Sequence, residues 1–150
     1  MPGADIDTTV KLAIYEITAE TGRVPNSQAV SRKTDIDEAE VLGAFARLHA
    51  KRLLLPEPGD PTRIRMAPPF SGVPTSFRVR IGAREYYANC AWDALGIPAA
   101  LHRDAVVDAE DGSSTEPMRL VVHAAGPAPE PCVIHFAVPA AQWWEDIVHT

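Results

Sequence analysis

Leu53-Leu54-Leu55-Pro56-Glu57-Pro58-Gly59-Asp60-Pro61-Thr62-Arg63-Ile64-Arg65-Met66 is the stretch on which the fold turns. A short apolar run, a Pro/Gly/Asp cluster and a second short run predict a hairpin, with its turn in 56–61. Before it the period is helical. Val10, Ala13, Ile14 and Ile17 repeat at helix spacing, and Thr8 or Asp7 is expected to cap the start. Thr21-Gly22-Arg23-Val24-Pro25 breaks this helix. Asn26 then caps a short second helix carrying Ala29 and Val30. Asp35 or Asp37 opens a third, with Val41, Leu42, Phe45 and Leu48 on one face. Lys51 and Arg52 lie near its end, where cations suit the helix dipole. Three helices followed by a hairpin is the winged-helix arrangement, so 1–66 is expected to form a winged-helix-like lobe.

After the hairpin, 67–75 reads as a linker rich in proline and small residues, and the period changes beyond it. Phe77, Val79 and Ile81 alternate with Arg78 and Arg80, the pattern of a half-buried strand. Gly82 turns the chain and Glu85-Tyr86-Tyr87 begins the return. A short helix is expected from Cys90 to Leu95, ending at Gly96 and Pro98. Further strands are expected at 105–107, 118–123 and 133–138, and a last helix over 140–148 carrying Trp143 and Trp144. The whole reads as α+β: a helical lobe, 1–66, then a mixed or antiparallel β core with short helices, 76–150.

The composition sets limits on function. The chain has 150 residues, 46% hydrophobic and 23% charged, which is enough for a core without disulfide staples. No apolar run approaches the roughly 20 residues of a membrane span. The first residues lack the basic-then-apolar pattern of a secretory signal. Two cysteines do not make a disulfide framework, and in a reducing cytoplasm both remain thiols. The net charge of -6 argues against nucleic acid and anionic membrane as partners. The third helix argues the same way. Asp35, Asp37, Glu38 and Glu40 crowd the end that would enter a major groove, while Arg47, Lys51 and Arg52 lie at the other.

One constellation carries chemistry. Cys90 and Asp93 stand at i and i+3, so a helix puts thiol and carboxylate on one face. A helix start favours thiolate, and thiolates select soft metals and electrophiles. A carboxylic acid beside a bound organometal could deliver a proton to the departing carbon. Read blandly, the same residues are a small buried hydrophobe and a solvated acid.

The run Tyr87-Ala88-Asn89-Cys90-Ala91-Trp92-Asp93-Ala94-Leu95-Gly96-Ile97-Pro98-Ala99 resembles the active-site segment of the alkylmercury (organomercurial) lyases. In that family Tyr-Ala-x-Cys-Ala-x-Asp-x-Leu is followed closely by Pro-Ala. The resemblance continues less strictly through Arg103, Val107, Pro117 and Leu120 to the segment 133–139. It implies a winged-helix-like lobe, a linker and a mixed β core. It also implies that Cys90 takes the organomercurial as a thiolate, and that Asp93 takes part in proton transfer and holds the Hg(II) product. No added cofactor is implied, and low-molecular-weight thiols are expected to carry the metal away.

The family's second cysteine has two possible counterparts. Matching Cys132-Val133-Ile134-His135-Phe136 to the family's Cys-x-x-His-Phe run sets Cys132 beside the catalytic position. Matching Glu130-Pro131 and Val138-Pro139 to the preceding strand moves that position to or beyond Thr150, which makes the chain shorter than its family. Cys132 is then a residue with no chemistry. His102, His123, His135 and His149 form no recognisable zinc spacing. Tyr86 and Tyr87 are expected beneath Cys90, and 108–111 reads as a solvated acidic turn. The functional expectation is organomercurial cleavage. The alternatives are a non-catalytic Hg/Cu or small-ligand binder of the same fold, or a winged-helix regulator.

Overall fold

The computed structural model describes residues 5–129 and 132–148. The first four residues, the Glu130-Pro131 match, His149 and Thr150 lie outside the described residues. Three helices open the chain: α1 (Ile6–Thr21), α2 (Ser27–Thr34) and α3 (Glu38–Ala50). They bury Val10, Ile14, Val30, Val41, Phe45 and Leu48 against one another, the stripe that the helical spacing predicts. The caps fall where short polar side chains meet free amides. Asn26 Oδ1 accepts from the Ala29 amide at 2.9 Å, and Asp37 Oδ1 from the Ala39 amide at 2.9 Å. Asp35 instead ends α2 in the left-handed region at φ 57°.

The start of α1 differs from the expectation. Asp5 is its N-cap, and Asp7 lies inside the first turn, nearly buried. A buried carboxylate needs charged partners. Arg47 supplies Nη2 at 2.8 Å and Nε at 2.9 Å, and Lys51 supplies Nζ at 3.3 Å. Lys51, read as a dipole partner of α3, thus joins Arg47 in tying α3 to α1.

The hairpin follows as β1 (Leu55–Glu57) and β2 (Asp60–Ala67), and β2 also pairs antiparallel with β3 (Phe70–Ser71). The segment 67–75 is therefore not slack chain: Phe70 is 3% exposed, because its ring fills the second core. That core lies on an antiparallel sheet of order β5-β4-β6-β7-β8. Its strands are β4 (Arg78–Ile81), β5 (Arg84–Tyr87), β6 (Ala105–Glu110), β7 (Pro117–His123) and β8 (Gly126–Pro127). Because β6 runs through Asp108, that acid is no turn residue: it accepts from Arg119 Nε at 2.7 Å and Arg80 Nη2 at 3.1 Å.

Between β5 and β6 runs α4 (Ala91–Leu101), which passes through Gly96 and Pro98 instead of ending there. A proline inside a helix costs about 3 kcal/mol in propensity. Ala94, Ile97 and Pro98 are all buried on that side of the helix, and this burial outweighs the loss. The helix ends at His102, left-handed at φ 51°.

The expected strand at 133–138 does not form. This segment pairs with none of the described strands and runs as irregular chain over the cavity beside α4. It is followed by a 3-10 helix (Ala140–Glu145) where a longer helix is expected from the sequence.

The two cores meet at Tyr15 and Val24, which pack against both. Tyr86 Oη donates to the Ala19 carbonyl at 2.7 Å and Arg84 Nη1 to the same oxygen at 3.0 Å, satisfying the end of α1. Gly22 permits the close approach. Its φ is +76°, and a Cβ there would lie 2.5 Å from the Glu85 carbonyl oxygen.

Candidate active site

Among the described residues, two cavities of similar size stand out. The first, of about 550 Å³, is rimmed by Arg23, Arg84 and Arg103 beside the end of α1. Arg23 and Arg84 are engaged there by backbone carbonyls, and no thiol lines it. The second, of about 540 Å³, contains the chemistry. Asn89, Cys90 and Asp93 form one wall, Met66, Pro68 and Phe77 another, and the cover is drawn from 134–147.

The head of α4 sets the first wall. Cys90 is its N-cap residue, in extended backbone at φ -155°, and the Ala94 amide donates to the Cys90 carbonyl at 2.9 Å. Asp93 follows in the first turn, so both side chains line the cavity as the i, i+3 spacing predicts. Helix position was expected to favour the Cys90 thiolate. The opposite holds: burial pushes the thiol above its ordinary value. The amides of Asp93 and Trp92 pull it down, while the Asp93 charge adds to the rise. Burial outweighs the helix start because the sulfur faces an apolar enclosure.

Burial also raises Asp93, opposed by a hydrogen bond from Asn89. Asn89 Nδ2 donates to Asp93 Oδ2 at 3.0 Å and to the Phe70 carbonyl at 3.1 Å. Tyr15 packs close by from α1. Its hydroxyl donates to the Pro68 carbonyl at 2.7 Å, and its pKa is raised by burial and then by the Asp93 charge.

The cover is aromatic. Phe136 and Trp143 pack with ring centroids 5.2 Å apart, and Trp143 Nε1 donates to the Val138 carbonyl at 2.8 Å. Ile134, His135 and Trp144 complete it.

Cys132 is exposed and does not line this cavity. The described structure therefore brings Cys90 and Asp93 together and leaves Cys132 outside. Tyr86 and Tyr87 are not the floor. Tyr86 packs on Phe70 at 5.6 Å, and Tyr87 lies under Arg23. His123 faces Asp104 at 3.5 Å, away from the cavity. Among the described residues no cluster of three or more His, Cys, Asp or Glu side chains is placed to hold a metal ion. Asn89 is the site residue that sequence reading missed. It adjoins the cysteine, and an amide four residues before an acid on a helix start is a legible pair. Tyr15 lies near enough to feel the Asp93 charge but does not line the cavity.

An α+β protein with a thiol and a carboxyl at one helix head, enclosed by apolar side chains, is of the class suited to soft electrophiles. Residues 70–150 match the family model of MerB, alkylmercury lyase, and the chain belongs to that family. Among solved structures it is similar in fold to the mercury-bound form of MerB2, with a TM-score of 0.57 and 19% identity. That match covers 81% of this chain and 66% of the other, so the chain spans just under two thirds of that relative's length. No curated protein matches. No helix among the described residues is long and apolar enough to cross a membrane.

Proposed function

We propose that this chain is an alkylmercury lyase-like enzyme of the cytoplasm, with Cys90 as nucleophile and Asp93 as proton donor. The observation that carries this reading is that the sulfur and the carboxyl share one apolar cavity at the head of α4. Cys90 passes its proton to the Asp93 carboxylate as the S–Hg bond forms, and the anion or thiolate that the organomercurial carried leaves. The carbon–mercury bond then breaks, its electron pair takes the Asp93 proton, and the hydrocarbon leaves. Hg(II) remains on the Cys90 sulfur and the Asp93 carboxylate until low-molecular-weight thiols remove it. Burial supports this relay, because it raises the affinity of the Asp93 carboxylate for the proton that Cys90 releases. The reading requires no resident cofactor, and the N-terminal lobe serves as a winged-helix-like packing lobe.

Incubation with phenylmercury tests this. Wild type is expected to release benzene, Cys90→Ala to release none, and Cys132→Ala to keep most of the activity. Benzene release by Cys90→Ala would sink the assignment.

One observation favours a second reading. A single thiol lines the cavity, because Cys132 stands outside it. One thiolate polarises the carbon–mercury bond less than two, and such a site holds Hg(II) or Cu(I) without turnover. Stoichiometric capture of phenylmercury with no benzene would select that reading.

A further inference from the structure

We propose that Asn89 is a positioning residue that grips Asp93 Oδ2 and so leaves Oδ1 as the oxygen facing the cavity. Its consequence for turnover rests on the lyase reading; the grip itself does not. Asn89 falls at a position that the family resemblance leaves open, one residue before Cys90.

Its amide nitrogen has two acceptors, Asp93 Oδ2 at 3.0 Å and the Phe70 carbonyl at 3.1 Å. Both N–H groups are thereby engaged, and the side chain is held between β3 and α4. At its other end, Asn89 Oδ1 is buried with no partner among the described residues. Flipping the amide would set an oxygen against a carbonyl and a carboxylate, so the orientation follows from the two acceptors. A buried acceptor without a donor is unfavourable, and a leucine, which has the same branched skeleton, would avoid it. What the amide supplies, and leucine cannot, is the pair of N–H contacts.

The Phe70 contact ties strand to helix. The Asp93 contact acts on the site, because an N–H donor on Oδ2 disfavours a proton on that same oxygen. Asp93 Oδ1 accepts from none of the described residues. It is the oxygen left to present a proton to a carbon bound in the cavity. Losing the grip frees the carboxyl to rotate, which affects the proton-transfer step and not the capture of mercury by sulfur.

The test is a double-substitution cycle with wild type, Asn89→Leu, Asp93→Ala and the double variant, with Asn89→Ser added should the leucine variant fold poorly. Phenylmercury turnover and thermal melting are measured on each. In Asn89→Leu the kcat is expected to fall about tenfold or more, while capture of phenylmercury by Cys90 stays within about twofold. The double variant is expected to be no slower than Asp93→Ala. In melting, the two single effects are expected to be non-additive, because each removes the same contact. An Asn89→Leu protein that melts lower but keeps its kcat would reveal a merely structural amide and overturn the proposal. If wild type releases no benzene, the lyase reading fails by itself. The grip is then judged on melting alone, where additive single effects overturn it.

Discussion

Asp93→Asn should make Cys90 more reactive, not less, toward an ordinary alkylating reagent. The perturbation removes a charge beside the sulfur while leaving the helix-start amides of Trp92 and Asp93 in place. Burial is the main reason that the thiol lies above its ordinary value of 9.0, and the Asp93 charge is a further one. A thiol at 9.0 is about 1% thiolate at pH 7, and Cys90 holds less than that. Its alkylation should therefore rise about tenfold per pH unit from neutrality upward, with no plateau near pH 7. Removing a neighbouring charge at this partly buried site is expected to speed the reaction at fixed pH by about two- to tenfold. The assay is iodoacetamide labelling read by mass spectrometry in a Cys132→Ser background, so that Cys90 is the only thiol. Unchanged or slower labelling in Asp93→Asn would refute the reasoning, and so would a wild-type rate already on its plateau at neutral pH.

Three further outcomes follow from the same structure. Trp143→Ala should speed Cys90 labelling several-fold, since the Trp143–Phe136 pair covers the cavity and burial is what raises the thiol; an unchanged rate would mean that the cover does not control access. Asp7→Ala should cost about 1–3 kcal/mol and lower the melting midpoint by about 2–10 °C, the range reflecting partners that are half in water. Arg47 holds the Asp7 carboxyl below the usual carboxylate range, so its stabilisation is full above about pH 4 and lost as pH falls through the lower folded value. The difference in melting between wild type and Asp7→Ala should thus shrink on acidification, as calorimetry at several pH values can read. Gly22→Ala should cost more than about 2 kcal/mol by denaturant titration, because it adds a left-handed side chain and a clash with the Glu85 carbonyl.

Much of this architecture was legible because local chemistry and tertiary packing agree. The stripe of Val10, Ile14, Val41 and Phe45, the Asn26 and Asp37 caps, and the alternation through Val79 and Ile81 all read the same in sequence and structure. The failures have one cause, that long-range partners decide. Asp7 looks like a cap until Arg47 arrives from 40 residues away. Pro98 looks like a stop until its face is buried on the sheet. Residues 133–138 have strand composition, but they lie over the cavity that holds Cys90 and join no sheet. At the site, the i, i+3 spacing of Cys90 and Asp93 was legible, whereas the aromatic cover comes from a distant segment that no local pattern announces.

The raised thiol is coherent with soft-metal chemistry even though it contradicts the helix-start rule. An exposed, low-pKa thiolate would react with any electrophile or oxidant that met it. A thiol kept protonated by burial reacts poorly with hard or weak electrophiles. Mercury is different, because metal binding itself drives thiol deprotonation and the S–Hg bond supplies the free energy. The released proton then needs an acceptor close by, and the carboxyl that shares the cavity has its affinity raised by the same burial. On this reading Cys90 and Asp93 are tuned by one enclosure. The walls that quiet the thiol toward ordinary reagents also hold a proton on the acid that the departing carbon must receive. Opening the cover should therefore raise general thiol reactivity while lowering protonolysis, and an enclosure that served only to stabilise the fold would not move the two in opposite directions.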